Sequence, residues 1–287
     1  MGVLPADYQA PLVPYIDIVE LADLLGKRQT ALLTGAGIST ESGIPDYRGP
    51  SSGRRARQPM RYQEFVHSAE ARQRYWSRST LGWPRMSSAR PNAAHRAVAA
   101  LQAMGHVAGV ITQNVDGLHQ AAGSSHVLEL HGALSRVLCL ECGTIEGRGH
   151  LQERLVAANP AWYQRSAVLA PDGDVDLPEA VSKEFVVLPC ARCGGVLKPD
   201  VVFFGENVPA ARVEAAYLVT DRAEALLVAG SSLAVYSGLR FVKRAVEAGK
   251  PVGIVNLGPT RADELAALRV EGRLGDVLPQ LVDALSQ

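Results

Sequence analysis

Four cysteines, one histidine at the end of an apolar run, and a short string of amide and carboxylate side chains carry most of the chemistry this chain can do. The cysteines fall as two pairs, Cys139-x-x-Cys142 and Cys190-x-x-Cys193, with residues 143–189 between them. Two such hairpins can supply four thiolates to one tetrahedral ion. That set leaves no open position for a reacting water, so the spacing predicts one structural zinc. Gly143 and Gly194-Gly195 stand where such knuckles turn. His131 follows the apolar run Val127–Leu130 and precedes Gly132. A group titrating near 6.5 at that strand edge suits general-base work, although a lone histidine is also a common structural residue. Gln113-Asn114-Val115-Asp116 closes another strand with three hydrogen-bonding side chains, which could equally cap a helix. The remaining histidines (His67, His95, His106, His119, His126, His150) read as structural or surface residues.

A third stretch, Ala31 to Arg48, has the form of a phosphate cradle. An apolar strand is followed by Gly35-Ala36-Gly37, which lets backbone N–H groups approach an anion without a Cβ in the way. Ser39 and Thr40 read as caps for a following helical turn. Gly43 and Pro45 stop it, and Asp46, Tyr47 and Arg48 come after. The strict dinucleotide fingerprint is not met. It needs glycine at position 40, which is Thr40, and an acidic ribose ligand roughly 20 residues on, where the chain has Arg54, Arg55 and Arg57.

The elements that must position these groups alternate. Ile18, Leu21, Ala22 and Leu25 repeat at helical spacing. Residues 49–90 read as a loop with short helices around Phe65 and Tyr75-Trp76, on an arginine-rich background that fits a solvated face or anion binding equally. Pro91-Asn92 opens a helix with Ala94, Val98, Leu101 and Met104 on one face. Strands are expected at 107–111, 127–130, 225–229 and 252–255, with helices near 211–219, 238–248 and 277–285. Continuous apolar strands alternating with helices imply an α/β protein built on a parallel sheet covered on both faces. Polar motifs just beyond strand C-termini sit where such sheets bind ligands.

The chain has 287 residues, 47% of them hydrophobic, and a formal net charge of zero. It can bury a real core, and no global field draws it to nucleic acid or anionic lipid. No apolar run approaches the ~18 residues of a membrane span. Paired cysteines that bind metal fit a reducing compartment, so a cytoplasmic protein is expected.

Taken in order, several motifs resemble those of the sirtuin family. They are Gly35-Ala36-Gly37-Ile38-Ser39, Gly43-Ile44-Pro45-Asp46-Tyr47-Arg48, Gln113-Asn114-Val115-Asp116, His131-Gly132, the cysteine pairs, Lys198-Pro199-Asp200-Val201-Val202-Phe203-Phe204-Gly205-Glu206, and Gly230-Ser231-Ser232-Leu233. The likeness runs from about residue 16 to the C-terminus. Asp46-Tyr47, Arg74-Tyr75-Trp76, Gly82-Trp83-Pro84, Ala170 to Asp174 and Asn256-Leu257-Gly258-Pro259-Thr260-Arg261 are most similar to class II, the branch with mitochondrial sirtuin four.

The resemblance implies a Rossmann-like NAD domain (1–48, 92–137 and 197–287), a cofactor loop and helical module (49–91), and a zinc module (138–196). It gives the dinucleotide to Gly35, Ala36, Gly37, Ile38, Ser39, Ile44, Pro45, Asp46, Tyr47 and Arg48 on the diphosphate and nicotinamide-ribose side. Gln113, Asn114, Val115 and Asp116 would line the nicotinamide pocket, with Asn114 and Asp116 counted as catalytic beside the base His131. Gly230, Ser231, Ser232, Asn256, Leu257 and Gly258 would take the adenosine half, with Leu274 near the adenine. An acyl-lysine peptide would add as a strand along an extended Val202, Phe203, Phe204, Gly205 and Glu206, with Leu233 and Val235 on its other side.

The implied reaction is NAD-dependent deacylation of protein lysine, releasing nicotinamide and O-acyl-ADP-ribose. The alternative at the same site is transfer of ADP-ribose to protein. A zinc module that binds nucleic acid is disfavoured by the neutral charge. The acyl group stays open: a Tyr–Arg pair three apart reads acidic acyl groups in one branch, and Tyr75 with Arg78 repeats that spacing, whereas Tyr62 is followed at that distance by Phe65.

Overall fold

Apolar strands alternate with helices along most of the chain. The computed structural model describes residues 15–46, 59–162 and 182–286. In chain order the main elements are α1 (Tyr15–Gly26), β1 (Thr30–Thr34), α2 (Tyr62–His67), α3 (Ala69–Ser88), α4 (Ala93–Ala103), β2 (Val107–Thr112), α5 (Leu118–Ala121), β3 (Val127–Glu129), β4 (Gly132–Cys139), β5 (Ile145–Gly147), α6 (Arg148–Ala158), β6 (Leu197–Val201), α7 (Ala210–Arg222), β7 (Ala225–Ala229), α8 (Tyr236–Glu247), β8 (Val252–Asn256), β9 (Leu268–Glu271) and α9 (Leu274–Leu285).

Six strands form one sheet in the order β3-β2-β1-β7-β8-β9, and every pairing in it is parallel. All residues of β1, β7 and β8 are buried, as expected of strands covered on both faces. One face is closed by α1, α4 and α9 through Leu21, Val98, Leu101, Val277 and Leu281. The other is closed by Ala216 of α7 and by Leu239, Phe241 and Val242 of α8. From β1 the chain steps outward to β2 and β3, then returns to β7 on the opposite side. The switch point therefore lies between the C-terminal ends of β1 and β7, the place where open α/β sheets form a binding crevice.

A second sheet, β5-β4-β6, is antiparallel and carries the cysteines. Its core is aromatic: Phe65, Tyr75, Trp76, Trp162, Phe185 and Phe203 are buried among Val137, Leu151 and Leu197. The sequence reading placed a strand before His131 but none after it. In fact β3 ends at Glu129 and β4 begins at Gly132, so only Leu130 and His131 join the two sheets.

The expected short helices around Tyr75 are one helix of 20 residues, despite Pro84 inside it. Proline removes a donor and leaves the carbonyl four residues back unmatched. That carbonyl belongs to Thr80, and it accepts a hydrogen bond from Gln152 Nε2 of α6 instead (2.8 Å). Tertiary packing thus rescues a helix that local signals would end. Met104, placed on the buried face of its helix by spacing, lies at the C-cap and is exposed.

Two histidines sit beneath the sheet edge. His95 is completely buried and completes a capping box with Asn92, whose Nδ2 also donates to the Ile38 carbonyl at 2.7 Å. His119 is 1% exposed, stacks edge-on against His95 with centroids 5.0 Å apart, and meets Thr34 Oγ1 at 2.9 Å. Burial pushes His95 down to about 4 and His119 down to about 3. Both are therefore neutral in the fold but free to protonate near 6.5 once unfolded. A depressed folded value means the stabilisation is complete above 6.5 and drains away as pH falls. We expect unfolding free energy from urea titration to drop by roughly 2 kcal/mol between pH 7 and 5.5. In a His95→Gln, His119→Gln variant most of that pH dependence should vanish.

Candidate active site

The loops after β1 and β7 meet at the switch point, backbone against backbone. Gly35 N–H donates to the Ala229 carbonyl and Gly37 N–H to the Gly230 carbonyl, at 3.2 and 2.9 Å. A Cβ on Gly37 would lie 2.9 Å from both Gly230 Cα and its carbonyl oxygen, and one on Gly35 would lie 2.7 Å from Ser231 Cβ. These glycines are required by the neighbouring turn, and their N–H groups are bonded to it rather than left for an anion as expected. After Gly35 come two single turns of tight helix, 36–38 and 40–42. Neither Ser39 nor Thr40 caps them as expected. Thr40 Oγ1 donates back to the Gly37 carbonyl, and Ser39 points toward the strand β2 side.

There Ser39 Oγ donates to Asp116 Oδ2 at 2.7 Å and accepts from Asn114 Nδ2 at 3.0 Å. Asn114 Nδ2 also reaches the Gly35 carbonyl (3.1 Å), and Asp116 Oδ1 accepts from the Leu118 N–H (2.9 Å). Gln113 Nε2 spans to Ser231 Oγ at 2.8 Å and to the Thr34 carbonyl at 3.2 Å. One hydrogen-bond network thus ties the tips of β1, β2 and β7. Asp116 thus caps the following turn, as the structural reading of that motif expected. Burial pushes its carboxyl upward, partly offset by the Leu118 N–H and Ser39 bonds.

His131 borders the same network. Its Nδ1 faces the Gln113 carbonyl at 3.0 Å and its Nε2 faces Ser237 Oγ at 2.9 Å. A carbonyl only accepts, so Nδ1 carries the hydrogen and Nε2 is the nitrogen able to take a proton. Burial pushes the imidazole below its usual value, the Gln113 bond opposes this, and Arg212 and Arg240 depress it further. The ring is therefore neutral at pH 7. Sequence reasoning missed Ser237, Arg212 and Arg240, because a serine in the first turn of a helix and scattered arginines carry no distinctive spacing.

On the far side of Gly230, Leu274 is buried and crowds that glycine. Asn256 is also buried, and its Nδ2 donates to the Gly258 carbonyl (2.8 Å) and the Leu257 carbonyl (3.2 Å). Ser232 accepts a backbone bond from Arg261 N–H at 3.0 Å. Ile44 is buried beside the second sheet's core, followed by Pro45 and Asp46. Tyr47 and Arg48 lie outside the described residues, as do Arg54, Arg55, Arg57 and Ala170 to Asp174.

The segment 202–206 begins beside the His131 backbone: Val202 N–H donates to the His131 carbonyl at 2.9 Å. It is not extended throughout. Glu206 N–H reaches back to the Phe203 carbonyl, and Glu206 Oε2 accepts from Phe203 N–H, closing a turn at Gly205. The same carboxylate meets the buried Lys198 Nζ at 3.0 Å. Phe203 packs on Phe65 and Tyr75, with centroids 5.2 and 5.3 Å apart, whereas Phe204 is exposed. Leu233 is buried with a left-handed backbone, and Val235 immediately precedes α8.

At the other end of the second sheet, the four cysteine sulfurs all lie within 4.8 Å of one another. Cys139 and Cys193 sulfurs are 3.5 Å apart, and those of Cys142 and Cys190 are 3.9 Å apart. A tetrahedral zinc with ~2.3 Å bonds needs sulfurs about 3.8 Å apart, so the cluster fits one ion. Two matched turns frame it, closed by Gly143 N–H to the Cys139 carbonyl and Gly194 N–H to the Cys190 carbonyl. Among the described residues no helix is long and apolar enough to cross a membrane.

Residues 35–237 match the model of the Sir2 family. The chain is 56% identical over 269 residues to NAD-dependent protein deacetylase 1 of Streptomyces coelicolor, covering 94% of this chain and 90% of that one. It is 48% identical over 281 residues to the human NAD-dependent protein lipoamidase sirtuin-4, mitochondrial, covering 95% and 89%. Among solved structures, a Sir2–p53 peptide–NAD+ complex aligns with a TM-score of 0.72 at 32% identity, covering 92% of this chain and 96% of that one.

If the ion holds the two knuckles together, stripping it should unfold the second sheet. Cys190→Ser is expected to be insoluble or to lose its near-UV circular dichroism. A folded, fully active variant without zinc by elemental analysis would refute the structural role.

Proposed function

The chain belongs to the Sir2 family and is an NAD-dependent protein-lysine deacylase; on that premise we propose that His131 is its general base. The observation that carries this is the fixed tautomer: Nδ1 is held by the Gln113 carbonyl, leaving Nε2 basic at the edge of the switch-point crevice. NAD, when bound, supplies a ribose carbon from which nicotinamide departs, with O-acyl-ADP-ribose and free lysine as the other products. The turn Gly35, Ala36, Gly37 and Ile38 receives the diphosphate by close approach rather than through the N–H groups of Gly35, Gly37 and Ile38, which are bonded to protein carbonyls. Ile44, Pro45, Asp46, Tyr47 and Arg48 are assigned to the same half of the dinucleotide by the family motif. Ser39, Gln113, Asn114, Val115 and Asp116 hold the nicotinamide ribose. Their mutual hydrogen bonds support this reading, because preformed donors and acceptors need no reorganisation when charge moves. Gly230, Ser231, Ser232, Asn256, Leu257, Gly258 and Leu274 take the adenosine half.

The dinucleotide half of this work falls to residues 1–48, 92–137 and 197–287, with 49–91 as helical module and 138–196 as zinc module. An acylated peptide lies between Val202–Glu206 and Leu233–Val235, read mainly through its main chain. The enzyme acts in the cytoplasm, consistent with cysteines kept as thiolates for metal. Transfer of ADP-ribose to protein is not favoured by the relatives' activities. For the acyl group, both helices stand behind the substrate segment: Tyr75 packs on Phe203 with centroids 5.3 Å apart, and Tyr62 N–H donates to the Phe204 carbonyl at 3.0 Å. That wall is aromatic, which suits a lipoyl-length apolar chain.

Two outcomes test the reading. His131→Ala should lose at least ~10²-fold in nicotinamide release from an acyl-peptide while its zinc content stays unchanged. Because the imidazole is depressed, the acid limb of kcat/KM should fall below pH 6.5. Full activity in the variant, or a limb above 6.5, would remove His131 from the role. Across acetyl, lipoyl, succinyl and methylglutaryl peptides, lipoyl should be turned over faster than the acidic pair.

A further inference from the structure

One contact of the candidate base is left unexplained by the family motifs, the hydroxyl on its reactive nitrogen. Ser237 Oγ lies 2.9 Å from His131 Nε2, and it lies there because α8 starts close against the strand tips. Gly238 makes that approach possible, since a Cβ there would come within 2.6 Å of Gln113 Oε1. Gln113 therefore holds both sides of the arrangement: its carbonyl takes the Nδ1 hydrogen, and its side chain packs under the helix start that carries Ser237. We propose that Ser237 is the positioning residue of the His131 imidazole, holding Nε2 through a hydroxyl that can reverse its role. This rests on His131 being the base.

The reversal is what a carbonyl or an amine could not do. Toward neutral imidazole the hydroxyl donates to the Nε2 lone pair. Once Nε2 has taken a proton, the same oxygen accepts from Nε2–H. The second bond is charge-assisted and roughly twice as strong as the first, so Ser237 favours the protonated ring. It opposes burial and the two cations that face the ring, Arg212 from α7 and Arg240 from α8. Asp200 on β6, bound to Arg212 at 2.6 Å and to Arg136 at 2.9 Å, offsets part of the Arg212 charge and does not pair with Arg240. Without the hydroxyl, the imidazolium formed during turnover would face two guanidinium groups with its Nε2 proton unmatched.

The test compares wild type, Ser237→Ala and Ser237→Thr in full-length zinc-loaded enzyme, using one acyl-peptide across pH 5 to 9. Losing one hydrogen bond to the base should lower kcat about 2- to 10-fold, with KM for NAD and peptide unchanged. The acid limb should move down by about half a pH unit. The threonine variant, which keeps the hydroxyl, should restore both. Titration of the His131 ring by NMR, with its signal identified by its loss in His131→Ala, should show the same downward shift. An alanine variant with unmoved limb and unmoved ring titration overturns the proposal, as does a loss confined to KM or to melting temperature. If His131→Ala stays active, the base reading fails by itself. The ring titration in Ser237→Ala then still decides whether the serine holds the imidazole.

Discussion

The constraint on which the crevice depends is the contact between two turns. Gly37 and Gly230 meet with no room for a Cβ, and the N–H of each of Gly35 and Gly37 is spent on a carbonyl of the β7 end. Because β1 and β7 are adjacent and in register from Thr30 to Thr34, their C-terminal turns must share one small space. Any larger residue would push the turns apart and carry Ser39 and Ser231 with them. The polar network that spans Gln113, Asn114 and Asp116 exists only while that spacing holds. Backbone packing, rather than attraction to a ligand, sets the shape of the crevice.

Electrostatics in the crevice follow from the same burial. Asp116 is pushed up and His131 down, so each group is shifted toward its neutral form by loss of water. The sharper difference lies in their partners. Asp116 is held by two donors, which favour the ionised carboxylate, whereas His131 is held by a carbonyl and a hydroxyl. A carbonyl fixes which nitrogen is basic without supplying charge. The imidazole is thus shifted toward its neutral form first by burial, with Arg212 and Arg240 adding to that effect.

The parallel sheet was legible because each of its central strands is a continuous apolar run, and the cysteine cluster because four thiols at two fixed spacings have few other uses. Gln113 to Asp116 could be singled out as polar groups at a strand end. What could not be read depends on three dimensions. The turn at Leu130–His131 and the left-handed Gly132 read as a strand end rather than as the start of β4, so one strand seemed to end where two sheets join. Pro84 reads as a helix stop unless Gln152, 68 residues later in sequence numbering (152 − 84), is known to fill the bond it breaks. Ser237 is one serine among many until the helix start is placed against the imidazole.

The second sheet explains why a metal cluster remote from the chemistry should matter to it. β4 runs from Gly132, next to His131, to Cys139, and eight residues of strand span on the order of 25 Å. β6 runs back from Leu197, just beyond Cys193, to Val201, and the next residue donates to the His131 carbonyl. Each strand therefore has one end at the thiolates and the other at the crevice. Between those ends the register shifts once, between Gly132 and Val137, so the pair is not locked by regular ladder bonds along its whole length. The Arg136 guanidinium, bridging Glu129 and Asp200, and the cysteine knuckles help to prevent sliding. A slip of one residue would turn side chains to the opposite face. It would also carry Val202 away from the His131 carbonyl, so the cysteine cluster is coupled through strand register to the segment beside that histidine although it touches neither.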